Sequence, residues 1–264
     1  MWYDLKQYLK RIPLVKAYLL HRNWKRADHE FSQWTEHDEA SYRLYQQFIK
    51  PGDTVFDVGA NRGKKAKLFL KLNAFVVMIE PQTTCTEYIK RVFRHTDADK
   101  WVLIEGALGS AEGEQDMLIS PYDILSTFSA SWTEAVKKSG RFTPVNWDKR
   151  QKVRMTTLDS LIRQYGIPSF VKIDVEGYER EVLSGLSIPP TAISFEFVPE
   201  FLANTFGCID HLTKLADYEF QISLGESMTM ELPQWVSNEA LKEQLKHRSI
   251  IDAKGVGDIY ARKK

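Results

Sequence analysis

The sequence predicts an α/β fold: a mostly parallel sheet with helices on both faces and an antiparallel hairpin at one edge. Three observations carry the prediction. Short apolar runs alternate with amphipathic segments across residues 54–198. A glycine turn, GANRG, lies directly between the first run and the first amphipathic segment. Two further runs near the C-terminus have no helix placed between them as a standard crossover, which is how an antiparallel pair reads.

The elements follow in order. TVFDV (54–58) is a buried strand, followed by a helix at about 63–72. AFVVMIE (74–80) is the second strand, with a helix at about 82–94 behind it. WVLIEGAL (101–108) reads as the third strand, and EQDMLIS (114–120) as a strand pairing back beside it. LDSLIRQY (158–165) has helical spacing, with Thr157 or Asp159 near its cap. FVKIDV (170–175) is a near-continuous apolar strand interrupted only by Lys172, and a helix at about 177–185 precedes the strand AISFEFV (192–198). EFQISL (219–224) and DIYAR (258–262) are the expected antiparallel edge. Residues 1–50 read as a helical extension and 51–264 as the domain proper.

Composition narrows the function classes. Hydrophobic residues make up 43% and charged residues 27% of the 264 positions, ordinary values for a soluble globular chain. A net charge of +1 gives no global attraction to nucleic acid or to an anionic membrane. Cys85 and Cys208 form no C-x-x-C pair and read as reduced thiols. No apolar run approaches the roughly 18 residues that a membrane span requires. The N-terminus lacks the build of a signal peptide, and the expectation is a cytoplasmic protein. Trp2, Leu5, Leu9 and Ile12 fall at helical spacing among basic residues. That helix packs on the core or on a partner in the favoured reading, with peripheral membrane contact as the alternative.

In parallel sheets ligands bind beyond the C-terminal ends of the strands. The residues there are Asp57 to Gly63, Glu80 with Pro81, Glu105 to Ala107, Asp174 to Glu176, and Glu196. Each set carries a carboxylate. A dinucleotide fingerprint needs glycines at positions 1, 3 and 6, and counting from Gly59 the latter two are Asn61 and Lys64. A P-loop fails as well, because Gly59 and Gly63 are four apart and Lys65 precedes Ala66. What remains, D-x-G-x-N-x-G, suits a ligand without phosphate at this corner. Glu80 lies 21 residues after Gly59, where a carboxylate accepts both hydroxyls of a ribose. Adenosine without phosphates, in an acidic pocket that suits a positive group, describes S-adenosylmethionine.

The segments VFDVGANRG, VVMIEP, FVKIDVEGYEREVLSGL and ISFEF also resemble the successive motifs of FkbM-type methyltransferases, over about residues 51–200. The resemblance implies a class I methyltransferase fold, a Rossmann-like sheet of seven strands. It implies methyl transfer from S-adenosylmethionine, usually to an oxygen of a sugar-like or natural-product acceptor. By position, Asp57, Gly59, Ala60, Asn61 and Gly63 match the first cofactor loop, and Glu80 and Pro81 the ribose-binding motif. Glu105, Gly106 and Ala107 follow at the third strand end, and Asp174, Glu176 and Gly177 match the fourth-strand motif. Arg62, Lys64 and Lys65 depart from the family pattern; in the favoured reading their stems cover apolar surface while the charged heads stay in water, with an anionic acceptor as the alternative, and no nucleic acid partner is expected.

The sulfonium already activates the methyl group, so the protein must hold an acceptor oxygen ~3 Å from it. A hydroxyl acceptor also needs a base within hydrogen-bond reach. Asp174, Glu176 and Glu196 are the candidates. Asp174 and Glu196 are also the oxygens a hard cation would take, but no compact metal motif is present and no metal is expected. Residues 121–153 and 225–257 read as lid or substrate insertions, with Ser126, Thr127 and Ser129 able to reach the site. Two alternatives remain: a nucleotide-dependent oxidoreductase, opposed by the failed glycine positions, and a non-catalytic adenosyl-binding module, opposed by the retained carboxylates.

Overall fold

A computed structural model describes residues 28–29, 31–140, 145–246 and 255–264. The chain divides into two compact units, residues 1–36 and 37–264. The N-terminal basic helix expected around Trp2–Ile12 lies outside the described residues. No described helix is long and apolar enough to cross a membrane.

Ten strands and eight longer α-helices are named here among the described residues. In chain order they are α1 (Glu36–Tyr45), β1 (Thr54–Val58), α2 (Lys64–Lys71), β2 (Phe75–Glu80), α3 (Thr83–Val92), β3 (Trp101–Glu105), β4 (Ala107–Leu108) and β5 (Gly113–Ile119). Then come α4 (Ala130–Ser139), β6 (Lys149–Thr156), α5 (Leu158–Tyr165), β7 (Phe170–Ile173), α6 (Glu179–Ser184), β8 (Ala192–Phe197), α7 (Leu202–Leu215), β9 (Tyr218–Leu224), α8 (Asn238–Lys246) and β10 (Gly257–Lys263).

The main sheet has seven strands in the order β3-β2-β1-β7-β8-β10-β9. All neighbours are parallel except β10, which runs antiparallel to both β8 and β9. This is a Rossmann-like arrangement, the seven-stranded sheet that the sequence resemblance implies. Its order reverses between β1 and β7, where a crevice opens at the strand ends. Residues alternate across the pleat, so Val58, Val77, Ile79, Val171, Ile173, Ile193 and Phe195 share one apolar face. They form the main core with Leu161 and Ile162 of α5, Val182 and Leu183 of α6, and Ile209 and Leu212 of α7. The α5 helix starts where its cap residue allows, because the Thr157 hydroxyl accepts the backbone N–H of Ser160.

The opposite face is built around aromatic rings. Tyr45 at the end of α1 packs edge-on against Phe69 of α2 at 4.9 Å and Phe170 of β7 at 5.5 Å. Phe48 stacks on Tyr260 at 5.8 Å. The compact unit that holds the sheet begins at residue 37, and α1 and the following turn supply these rings to it.

Three strand expectations change. The run at 101–108 ends as a main-sheet strand at Glu105, and β4 turns away to a second, three-stranded sheet of order β4-β6-β5. The run at 114–120 therefore pairs with β6, not with the third strand. Met117, Val153, Met155 and Ala107 make a small core of their own there, which fixes that pairing. Within the segment read as an insertion, residues 121–153, the described residues include α4 and most of β6; the first four residues of β6, KRQK, are polar and hide the alternation that begins at Val153. Helix α7, between β8 and β9, is a further element that the strand pattern did not signal.

Candidate active site

The glycine turn after β1 has three residues with left-handed backbone: Gly59 (φ 80°), Asn61 (φ 49°) and Gly63 (φ 76°). At Gly59 the constraint is absolute. A Cβ there would sit 1.9 Å from the carbonyl oxygen of Asp174, so the turn presses directly on the end of β7. Asp174 N–H in turn donates to the carbonyl of Val58 at 3.0 Å. The loops after β1 and β7 are thus fixed to one another, and a cleft of about 660 Å³ opens above them.

Glu80 closes β2 and is 2% exposed. Its Oε2 accepts the N–H of Asn61 and its Oε1 that of Gln82, both at 2.8 Å. Burial raises its pKa to about 7, against those two N–H donors, which favour the charged form. Each oxygen keeps one lone pair for a further donor.

Of the residues singled out from sequence, Gly59, Asn61, Glu80, Pro81, Ala107, Asp174 and Glu176 line this cleft. Ala60 is buried in the turn, and Gly106 lies at the break between β3 and β4. Three others lie outside the cleft lining. Asp57 is 1% exposed and, by strand alternation, faces α2 rather than the cleft. Gly63 serves packing, since a Cβ would meet the Phe93 ring at 2.6 Å. Glu105 faces solvent and pairs with Lys90 at 2.6 Å, because β3 is the sheet edge.

The Arg62, Lys64 and Lys65 cluster does not converge. Arg62 binds the Asp123 carboxylate at 2.8 Å and lies over the Tyr88 ring. The Lys65 ammonium is directed over Tyr45 and reaches Met228 Sδ at 4.0 Å. Burial lowers its pKa.

The far wall comes from residues that carried no strand-end signal. Asp123, Ile124, Ser126, Phe128 and Tyr178 line it. Gln82 Nε2 donates to the Asp123 carbonyl at 2.8 Å, and Trp147 Nε1 to that of Leu125 at 2.6 Å, which pins the 123–126 segment over the cleft. Thr127 Oγ1 donates to the Glu176 carbonyl at 2.7 Å, and Ser129 caps α4 through Trp132 N–H. Of the three hydroxyls noted in the sequence, Ser126 alone lines the cleft. The other two fix loops.

Beyond β7 the carboxylates gather. Ligand-capable oxygens of Asp174, Glu176 and Glu196 lie within 4.8 Å of one another, close enough to bind a hard cation. Glu176 has a left-handed backbone (φ 54°), and Glu196 opens into an adjoining hollow of about 210 Å³ beside Trp132 and Asn204. Burial first, and then the neighbouring carboxylates, push Glu176 and Glu196 well above the ordinary range. The side chain that holds the loop is Glu179, whose Oε1 accepts N–H from Gly177 at 3.0 Å and Val175 at 3.3 Å. Burial raises Glu179 to about 7. Asp174 differs from its neighbours. Its side chain is 41% exposed and its Oδ2 accepts from Lys172 Nζ at 2.6 Å.

Comparison with known proteins meets this geometry. The hexuronic acid methyltransferase AglP of Haloferax volcanii is 26% identical over 159 residues, 59% of this chain and 59% of that protein. The chain thus spans about three fifths of the length of that curated relative. Among solved structures, a precorrin-6y C5,15-methyltransferase from Geobacter metallireducens aligns at 11% identity and a TM-score of 0.45, covering 85% of this chain and 87% of that one. An rRNA methylase from Streptococcus thermophilus aligns at 6% identity and a TM-score of 0.41, covering 88% and 99%. The methyltransferase FkbM domain matches residues 57–222, from within β1 into β9. The chain belongs to the FkbM methyltransferase family.

Proposed function

We propose that the protein transfers a methyl group from S-adenosylmethionine to an oxygen, hydroxyl or carboxyl, of a sugar-like acceptor. The observation that carries this reading is Glu80: a buried carboxylate at the end of β2, oriented by two backbone N–H groups, in the same cleft as the Gly59 turn and Asp174. Its remaining lone pairs suit the two ribose hydroxyls. The Gly59 turn leaves no side chain between backbone and ligand, and the acidic β7 end suits a sulfonium. The residues present therefore fit this cofactor, with Gly59, Asn61, Glu80, Pro81 and Ala107 to hold it. Bound there, it supplies a methyl group already activated for in-line transfer.

The chain's own part is to orient and to take a proton. Asp174 is the carboxylate with a cation on one oxygen and exposure to the cleft, which suits a base acting on an acceptor hydroxyl. Glu176 and Glu196, pushed up by burial and by the neighbouring carboxylates, suit hydrogen-bond donation to the acceptor instead. The similarity to a hexuronic acid methyltransferase favours a sugar acid among acceptors.

Calorimetry with S-adenosylhomocysteine and NAD, followed by a methyl-release assay over hexuronic acids and neutral sugars, tests the reading. S-adenosylhomocysteine should bind and NAD should not. With a hydroxyl acceptor, Asp174→Asn should lower kcat on the order of 10²-fold. Binding of NAD alone, or full turnover by Asp174→Asn with loss in Glu196→Gln, would overturn the cofactor or the base respectively.

A further inference from the structure

The α1–α2 face of the sheet carries two rows of polar residues where a core would be apolar. Strand register sets Asp57 beside Lys172, Lys172 beside Ser194, and Ser194 beside Tyr260. The next row sets Glu196 beside Asp258, with Asp174 following β7. Lys65 reaches this face from α2 and Tyr45 from α1. Lys172 lies at the centre and is 3% exposed.

A buried lysine is costly, and a buried ion pair is weak evidence for stability, since an apolar side chain of similar volume often does as well. Lys172 therefore calls for another reason, and its choice of partner supplies one. Asp57 is its register neighbour, and Asp57 Oδ2 is buried with no hydrogen bond among the described residues. Ser194 Oγ, its neighbour on the other side, is buried without one as well. Lys172 Nζ passes over both and donates to Asp174 at 2.6 Å, the acid exposed to the cleft. A side chain serving the core alone would satisfy the core. Burial by itself lowers a lysine, but Asp174, Asp258 and Asp57 together hold this ammonium well above its ordinary range, so it stays charged.

We propose that Lys172 is a positioning residue for methyl transfer: from within the sheet its ammonium clamps one carboxylate oxygen of Asp174 and leaves the other for the acceptor. The inference rests on the reading of Asp174 as the base. A residue that works only through Asp174 has nothing further to lose once Asp174 is changed, which a double-mutant cycle detects.

The experiment compares the wild type with Lys172→Met, Asp174→Asn and the double variant, measuring kcat with saturating acceptor and S-adenosylhomocysteine affinity by calorimetry. Lys172→Met should lower kcat on the order of 10²-fold, while the affinity for S-adenosylhomocysteine changes by less than about threefold. The double variant should fall no further than Asp174→Asn alone. A Lys172→Met protein with kcat within threefold of wild type overturns the clamp, as does a double variant whose loss equals the product of the single losses. If Lys172→Met does not fold, Lys172→Met with Asp57→Asn restores the charge balance and enters the same cycle against Asp57→Asn. If no acceptor is methylated by the wild type, the functional reading fails by itself. The clamp is then read from melting temperatures: the double variant should lose less than the sum of the single losses, and a strictly additive loss overturns it.

Discussion

Replacing Glu80 by Gln tests the cofactor assignment with one atom. In the wild type each carboxylate oxygen accepts one backbone N–H at 2.8 Å and keeps a lone pair for a ribose hydroxyl. The amide retains one acceptor oxygen and turns the other position into a donor, so one ribose hydroxyl loses its charged partner. A hydrogen bond to a charged group contributes about 1.5–3 kcal/mol. Affinity for S-adenosylhomocysteine at pH 8 should therefore fall about 10- to 150-fold. The new NH₂ also faces a backbone N–H, donor against donor, which should cost the fold about 1–3 kcal/mol. The pH dependence sharpens the test. Burial raises Glu80 to about 7, and accepting two hydroxyls requires the ionised form. At pH 6 only about a tenth of the wild type is ionised, so its affinity should drop about tenfold while that of Glu80→Gln stays flat. The gap between the two proteins should thus narrow on acidification. Calorimetric titration at both pH values, with folding checked by circular dichroism, reads both quantities. A folded Glu80→Gln protein that binds within twofold of wild type at pH 8, or a gap that widens at pH 6, would refute the ribose assignment.

Two other expectations concern the fold beneath the site. Gly59→Ala places a methyl group 1.9 Å from the Asp174 carbonyl at φ 80°, so the β1 and β7 loops must separate. Melting temperature and S-adenosylhomocysteine affinity should fall together, and an unchanged affinity would show that the contact between the two loops does not shape the cleft. Burial raises Asp57 to about 6 and Glu179 to about 7, above an unfolded value of about 4. The folded state holds protons that the unfolded chain releases. Their contribution is therefore intact below about pH 4 and is lost as pH rises through 6 and 7. The ligand-free melting temperature should fall between pH 5 and pH 8, and Asp57→Asn should flatten part of that slope. A melting temperature that climbs over this interval contradicts the burial argument.

Most of the sheet was legible because its strands are buried on both faces and so read as unbroken apolar runs. Phe75–Glu80 and Ala192–Phe197 needed no tertiary information. The glycine turn was legible for a different reason, since φ values of 80° and 76° leave glycine as the usual choice. Strand β6 was not legible, because half of it is solvated and polar and its partner lies at least thirty residues away. The Asp123–Phe128 wall was hidden for a similar reason: it reaches the cleft through Gln82 and Trp147, which nothing local to residues 123–128 announces.

The sequence by itself determined the fold class, the position of the cleft at the strand ends and Glu80 as one of its acids, since all three follow from local periodicity and from where apolar runs stop. Tertiary structure alone decided which way each end-of-strand acid points. Alternation across the pleat turns Asp57 towards α2, and the edge position of β3 turns Glu105 to solvent. It also decided that Lys172, a lone charge in an apolar run, reaches past its register neighbours to Asp174. The physical reason is that a carboxylate's role depends on its distance to charges on other strands and on how much water it keeps. Both quantities are set by sheet order and helix placement, which are encoded across the whole chain.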